Sequence, residues 1–198
     1  MQKDSFFQTK LNVKLLINSL SLFAIVCISS ILLVNDVAAA ESSSTDFFCG
    51  VDVPAESLSI ETIIPALYRT VSGDAGSIKD WALLKKLHAP NGIITPLFHK
   101  DGKPIANISS VDEFIALNKK IFKDINFYET EVASKIFTYG HMATILSHYE
   151  SRDNRNSKPY SQGINSFQLV NDGRRWCVIS VTWDSDKGGH PVSSEMLQ

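Results

Sequence analysis

The sequence lacks several features that would name a function. Its formal net charge is only −2, which excludes the broad basic surface of most nucleic-acid-binding proteins. It contains no internal repeat, and no His or Cys spacing matches a metal site, so we predict no metal and no cofactor. No catalytic signature is present either. What remains is a chain of 198 residues, 44% of them hydrophobic, which is typical of one globular domain with a substantial core.

Residues 1–40 have the three parts of a secretory signal peptide. A lysine-bearing start precedes an apolar run from Leu15 to Val34, and small residues follow at Ala38 and Ala40. We expect cleavage after Ala40 and export, either to a periplasm or out of the cell, with no stable membrane association afterwards. The run exceeds the usual ~7–15 residues, so the alternative is an uncleaved membrane anchor. Cleavage takes three Lys and two Asp from the 19 basic and 21 acidic side chains, which leaves a net charge of −3.

Export affects the interpretation of the cysteines. Cleavage removes Cys27 and leaves Cys49 and Cys177. An even pair in an oxidising compartment predicts a disulfide between them, and the alternative is two unrelated thiols. Cys177 lies in an expected strand without an evident histidine partner, so we do not count it as a nucleophile.

Hydrophobic periodicity predicts three helices after a flexible leader at 41–56. The first has apolar residues at helical spacing on one face, namely Ile60, Ile63, Ile64, Leu67, Tyr68 and Val71. In "SIKDWALLKKLH", Ser77 is the expected N-cap of the second helix, with Asp80 three residues later. Ser110 and Glu113 open the third helix in the same way. Its expected inward stripe is Phe114, Leu117, Ile121 and Ile125.

Strands are predicted between and after these helices. A short hairpin turns at Asp101-Gly102, and Pro96 and Pro104 confine it to a sheet edge. From Phe127 onward four β-rich segments follow: "FYETEVASKIFT", "HMATILSHYES", "GINSFQLV" and "RWCVISVTWD". The tail at 187–198 is expected to be disordered. Helices first and an antiparallel meander last predict an α+β fold with the helices on one sheet face.

The last two strands form the most legible hairpin. With a three-residue turn, Leu169 opposes Cys177 and Asn165 opposes Val181, and the apolar residues share one face. That inward face is predicted to hold Phe167, Leu169, Cys177, Ile179, Val181 and Trp183. Asn165 is its only strongly polar member. Trp176 and Val178 are then expected on the outer face.

This order of elements resembles the nuclear transport factor two-like superfamily, and within it the small SnoaL-like stand-alone proteins. The residues that carry the resemblance are "DWALLKKLHAPNG", "FYETEV", "ATILSHYESR" and "GINSFQLVNDGRRWCVISVTW", within a domain at 57–186. The resemblance implies a cone-shaped curved antiparallel sheet packed on three N-terminal helices, with a pocket between them. Members include ketosteroid isomerases, polyketide cyclases, dehydratases, epoxide hydrolases and proteins without known catalysis. Many form homodimers through the outer sheet face, which we expect here because Trp176 and Val178 lie there.

Enzymes of this superfamily place an acid or a histidine in an apolar pocket, where burial raises the pKa of a carboxyl group. The catalytic candidates here are Asp80, Glu129 and His148. Each has another interpretation: Asp80 as a helix-capping residue, Glu129 with Glu131 as a solvated strand edge, and His148 as part of a polar cluster on the sheet surface or at a dimer contact. We therefore commit to no catalytic residue.

Two functions of different classes remain. The first is a binding domain without chemistry that holds a small, mainly apolar molecule. Its expected contacts are Tyr68, Trp81, Tyr149, Asn165, Phe167 and Trp183. The second is a SnoaL-like isomerase, dehydratase, cyclase or hydrolase that uses acid–base chemistry in the same pocket, with Tyr68 or Tyr149 as a donor. A third possibility is a dimeric interaction domain.

Overall fold

The computed structural model describes residues 47–196, so the predicted signal peptide and its cleavage site lie outside the described residues. Its helices are α1 (Ile60–Val71), α2 (Trp81–Leu87) and α3 (Val111–Ile121). Its strands are β1 (His88–Lys100), β2 (Lys103–Ala106), β3 (Ser109–Ser110), β4 (Tyr128–Tyr139), β5 (Met142–Arg152), β6 (Ser161–Asn171) and β7 (Trp176–Ser185). The predicted α+β class and the three N-terminal helices are confirmed.

The strands form one curved, unclosed sheet in the order β2-β1-β7-β6-β5-β4, with β3 paired to β1. Strands β4 to β7 are the predicted antiparallel meander. Strand β1 runs parallel to β7, so the sheet is mixed and not wholly antiparallel as expected. The edge position predicted for Pro96 is wrong, because Pro96 pairs with Trp183 inside the sheet. Pro96 has no N–H to donate to the ladder, but its carbonyl oxygen accepts from Asn107 N at 3.1 Å.

The main core lies between the helices and the inner sheet face. In α1 the predicted stripe is buried except for the partly buried Val71, and Ile63 and Leu67 share one core cluster with strand residues such as Ile145. The predicted N-cap of α2 is wrong, because Asp80 and not Ser77 accepts from Leu83 N, at 2.9 Å. The predicted capping box of α3 is confirmed: Ser110 accepts from the backbone of Glu113, and the Glu113 carboxylate accepts from the backbone of Ser110.

The predicted stripe of α3 is only partly correct. Val111 and Ile115 are the buried residues of this helix, and Phe114 packs edge-on against Trp183. The residues expected to follow Phe114 inward are instead 41–47% exposed, namely Leu117, Ile121 and Ile125. The core does not cover this apolar stripe, because its residues border a cavity between the helices and the sheet.

The register of the β6–β7 hairpin differs from the predicted one. Asn165 pairs with Trp183 and Phe167 with Val181, and a bulge after Gln168 then shifts the pairing so that Leu169 meets Val178. A bulge inserts one extra residue and so exchanges the two faces of the strand beyond it.

Beyond the bulge, therefore, the predicted faces are reversed. Val178 and Trp176 belong to the main core, while Cys177 and Ile179 lie in a second cluster with Cys49 and Ala89. Trp176 and Val178 are therefore not on the outer face, so these two residues do not support a dimer contact there.

Both ends of the described chain pack on the domain more closely than a loose leader and tail would. Cys49 is buried and joined to Cys177 by a disulfide with an S–S distance of 2.09 Å. The Arg174 guanidinium lies over the Phe47 ring, and the buried Arg175 donates to the carbonyl oxygen of Cys49. Met196, in a short 3-10 helix after β7, is also buried. None of the helices described between 47 and 196 is long and apolar enough to cross a bilayer.

Candidate functional site

A cavity of about 660 Å³ lies between the helices and the inner sheet face. This volume is in the range that holds a small organic molecule. Its wall is mainly apolar and unusually aromatic. The aromatic residues of the lining are Tyr68, Phe98, Phe114, Phe122, Phe127, Tyr149, Tyr160, Phe167 and Trp183.

The exposed stripe that begins in α3 borders this cavity. Leu117 and Ile121, and Ile125 just beyond the helix, are all part of its lining. Side chains that line a cavity keep apolar surface free of core contacts, which explains why the helical pattern predicted burial that the structure does not show. This apolar surface is therefore available to a ligand.

The polar part of the cavity is centred on Glu129, near the start of β4. Its carboxylate oxygens lie 3.2 Å from Ser151 Oγ and 3.5 Å from Asn165 Nδ2. Burial raises the pKa of the Glu129 carboxyl to about 7, although the hydrogen bonds from Ser151 and Asn165 act in the opposite direction. At neutral pH this group can therefore both give and take a proton.

A chain of hydrogen bonds runs from Asn165 through Tyr68, which also lines the cavity, to Ser147 and Glu131. Asn165 Nδ2 donates to Tyr68 Oη at 2.9 Å, and Tyr68 Oη lies 2.5 Å from Ser147 Oγ. Ser147 in turn donates its only hydroxyl proton to Glu131, at 2.9 Å. The Tyr68 proton must therefore point at Ser147. Tyr68 is thus an acceptor for Asn165, and it has no proton to offer a ligand while this chain is intact.

Tyr149 is in a different situation. Among the described residues, its hydroxyl makes a single long contact, 3.4 Å from the carbonyl oxygen of Asp184. Gly163 leaves room for that hydroxyl, because a Cβ at residue 163 would lie 2.6 Å from it. Burial raises the pKa of Tyr149, and the nearby negative charge of Glu129 raises it further. Tyr149 is therefore a neutral phenol whose proton is available to a ligand.

His88, at the start of β1, is also part of the cavity lining. Its Nδ1 lies 2.8 Å from the carbonyl oxygen of Leu84, so Nδ1 carries the proton. Burial lowers the pKa of His88 to about 4, so the ring is neutral near physiological pH. Its Nε2 is buried and has no hydrogen-bond partner within residues 47–196.

The structure brings most of the predicted residues together. Those that line the cavity are Tyr68, Glu129, Tyr149, Asn165, Phe167 and Trp183. Three others lie elsewhere. Asp80 is exposed and caps α2. Trp81 stacks on Phe122 at 6.0 Å without lining the cavity. His148 is buried away from the cavity, with Nε2 3.2 Å from Gln162 Oε1.

Sequence reasoning missed Ser151, Tyr160 and His88 as lining residues. Ser151 shares the inward face of β5 with Tyr149, so period-two alternation from Tyr149 identifies it. No comparable signal marks Tyr160 in a polar loop or His88 at a helix-to-strand junction. In the described part of the chain, no group of three or more His, Cys, Asp or Glu side chains is placed to hold a metal ion.

Comparison with known proteins gives the fold and no more. No protein-family model matches the chain, and no curated protein matches it. Among solved structures it is similar to a protein of unknown function with a cystatin-like fold from Nostoc punctiforme, with a TM-score of 0.50 and 10% identity over 66% of this chain and 95% of that one.

Two proteins of Novosphingobium aromaticivorans are also similar. One, assigned as the beta subunit of an aromatic-ring-hydroxylating dioxygenase, gives a TM-score of 0.51 and 14% identity over 70% of this chain and 92% of that one. The other is an NTF2-like protein with a cystatin-like fold, with a TM-score of 0.49 and 14% identity over 69% and 84% of the two chains. The chain thus has a cystatin-like α+β fold, in agreement with the fold that the sequence resemblance implies. Identity this low leaves the function to the site.

Proposed function

We propose that this protein binds a small, mainly apolar molecule in the cavity between its helices and its sheet. The observation that carries the proposal is the cavity of about 660 Å³, whose lining is largely aromatic and aliphatic. A few polar groups converge at one place in that lining, namely Glu129, Asn165 and Tyr149. Apolar walls supply affinity and a few polar groups fix orientation in most small-molecule sites.

Two tryptophans of β7 allow a matched test. Both are partly buried and pack against the main core, but Trp183 lines the cavity and Trp176 does not. Decanol is a suitable neutral, apolar probe, and calorimetric titration measures its affinity. Trp183→Ala should weaken decanol binding roughly tenfold through lost contact area, whereas Trp176→Ala should lower the melting temperature without changing the affinity.

Asn165→Leu extends the test to the polar groups of the cavity. It removes the donor to Tyr68 and to Glu129, so it should cost about 1–3 kcal/mol of stability. We expect a native ligand identified by mass spectrometry to lose more than tenfold in affinity while the variant still folds. If the Trp183 and Asn165 variants only lower the melting temperature and leave binding intact, the hairpin is simply core and the proposal fails.

One observation favours acid–base catalysis as a second function. The pKa of about 7 at Glu129 suits a residue that must exchange a proton near neutral pH. The sequence allowed either Tyr68 or Tyr149 as the proton donor. Tyr149 supports the catalytic function because its proton is available. In this case Glu129→Gln should abolish turnover of the native ligand while that ligand still binds; unchanged turnover contradicts it.

Export and homodimer formation also remain proposals. The argument for export is the signal-peptide pattern at 1–40. Because Trp176 is not on the outer face, the dimer proposal rests on exposed apolar side chains near the β4–β5 turn. Phe137 is 60% exposed, Tyr139 80% and Met142 56%. A patch of this kind is easier to explain if a second copy covers it. Mass spectrometry of the exported protein tests both proposals. The denatured mass shows whether residues 1–40 are removed, and the native mass shows whether two copies associate.

A further inference from the structure

The described lining of the cavity contains carboxylates but no cationic side chain to balance them, because His88 is neutral near physiological pH. Its described lining residues include no Lys and no Arg, and they include Glu113 and Glu129. The Glu113 carboxylate lies at the exposed start of α3 and accepts from Ser110 N and Oγ, each at 2.8 Å. It therefore already serves the helix cap. Glu129 presents the remaining negative charge.

Other carboxylates near this end of the cavity have partners of their own. Asp184 lies 3.6 Å from His99 Nε2, and Asp186 accepts from Ser161 Oγ at 3.0 Å. Glu129 receives only the uncharged donors of Ser151 and Asn165, at 3.2 and 3.5 Å. Within residues 47–196 it forms no ion pair with Lys, Arg or His. A desolvated carboxylate without a counter-charge is unfavourable, and a cation placed beside it removes that cost.

The aromatic lining around Glu129 is suited to the same kind of group. Tyr149, Tyr160 and Phe167 all line the cavity, and the negative charge of Glu129 acts on both tyrosines. The faces of aromatic rings attract cations, especially where water is excluded. An anionic ligand would meet the Glu129 carboxylate without a Lys or Arg in the described lining to hold it, and the negative charges of Asp184 and Asp186 also act on Tyr149.

We propose that the ligand of this cavity is a hydrophobic amine, whose protonated nitrogen pairs with the Glu129 carboxylate while its apolar body fills the aromatic part. The inference rests on the proposed binding function and names its ligand class. A neutral alcohol or ketone of the same shape gains the apolar contacts but leaves the charge of Glu129 unpaired. A carboxylic acid gains the same contacts and adds repulsion.

Three probes with one hydrocarbon chain and different head groups test this class. Decylamine, decanol and decanoate, each below its micellar concentration, are titrated calorimetrically into the mature protein at about pH 8, where Glu129 is mostly ionised and the amine is protonated. Decylamine should bind roughly tenfold or more tightly than decanol, and decanoate should bind most weakly.

Two glutamates of β4 provide a matched pair of variants. Glu129→Gln should abolish the preference, so that decylamine and decanol bind with similar affinity. Glu131→Gln makes the same change at a carboxylate that faces Ser147 outside the cavity lining, and it should keep the preference.

The outcomes separate this inference from the function on which it rests. If decanol binds as tightly as decylamine, or if Glu129→Gln leaves the preference in place, the amine class is wrong and the apolar cavity remains. If neither decanol nor decylamine binds, the cavity function itself fails, and the amine inference fails with it.

Discussion

The ionised carboxylate of Glu129 destabilises the fold at high pH. Its carboxyl has a pKa of about 7 in the folded protein, against 4.5 without burial. Between these values the folded state keeps a proton that the unfolded state has released. The contribution of Glu129 is therefore most favourable below about pH 4.5 and is lost as the pH rises through about 7. Above that pH the buried charge costs up to about 3 kcal/mol, less what its exposure to the cavity returns.

A substitution at Glu129 should therefore stabilise the protein at high pH only. We expect Glu129→Gln to raise the free energy of unfolding by about 1–3 kcal/mol at pH 8 and by much less at pH 5, where the native carboxyl is already neutral. Urea denaturation at the two pH values measures this difference. Glu131→Gln, two residues along the strand, should not reproduce the gain. An equal change at both pH values would show that the burial cost is absent.

The sequence predicts single residues best where one element decides their position. Asn165 follows from strand alternation alone, and it is buried in the cavity wall as expected. Its partner Tyr68 does not follow, because the two residues are 97 positions apart and meet only through the docking of α1 on the sheet. The same holds for the contact of Asn165 with Glu129. Residue types and faces are local information, whereas hydrogen-bond partners are not.

At the scale of elements, short helices depend on their caps. Helix α2 has only seven residues, and the Asp80 carboxylate satisfies one of its first backbone donors. Ser77, the other candidate, accepts from Lys79 Nζ at 2.9 Å and donates to the carbonyl oxygen of Asp74. The motif "SIKD" allows either residue to cap the helix, and the turn that precedes α2 decides between them.

Substitution of Asp80 tests its role as the cap of α2 and separates that role from catalysis. Asp80→Ala should cost about 0.5–2 kcal/mol of stability, because Leu83 N loses its acceptor. Asp80→Asn keeps an acceptor and should cost little. Neither variant should change decanol affinity, since Asp80 lies outside the cavity lining. Thermal unfolding and calorimetric titration of the two variants check this, and a lost affinity in Asp80→Asn would return Asp80 to the site.

Strand registers were harder to predict than strand positions. Side-chain alternation locates β6 and β7, but the bulge after Gln168 exchanges the faces of the first residues of β7. An extra residue in one strand leaves no mark in the apolar pattern, because Val178 and Ile179 are both hydrophobic. The parallel pairing of β1 with β7 is similarly invisible, since both strands contribute apolar residues to a shared sheet. Topology of this kind is decided by packing across the whole domain.

For the whole molecule, the disulfide ties the N-terminal segment to strand β7. Cys49 and Cys177 are 128 positions apart. Closing so long a loop restricts the unfolded chain and stabilises the fold by about 5 kcal/mol in the chain-entropy model. Gly50 and Val51 also receive hydrogen bonds from Arg174, so the segment has native contacts besides the bond.

The intact mass of the exported protein tests these whole-molecule proposals together. The chain should begin at Glu41 and gain the mass of two hydrogens on reduction, and the denatured protein should not react with a thiol reagent until it is reduced. Native mass spectrometry at micromolar concentration should give twice the mass of one chain. A mass that includes residues 1–40, two labelled thiols, or a monomer overturns the proposal of export, of the oxidised pair, or of the dimer respectively. Each of the three outcomes has its own measurement, so each proposal is decided separately.

Reduction then measures what the disulfide contributes. We expect a reductant to lower the melting temperature of the wild-type protein by roughly 10–20 °C, which corresponds to about 5 kcal/mol for a domain of this size. The double variant Cys49→Ser with Cys177→Ser is the control: it should melt near the temperature of the reduced protein, and reductant should not move it further. If reduction leaves the wild-type melting temperature unchanged, the contacts of Arg174 and Arg175 alone hold the segment, and the bond adds nothing to global stability. A drop in the wild type alone instead assigns the stabilisation to the covalent link, because the double variant keeps both arginines.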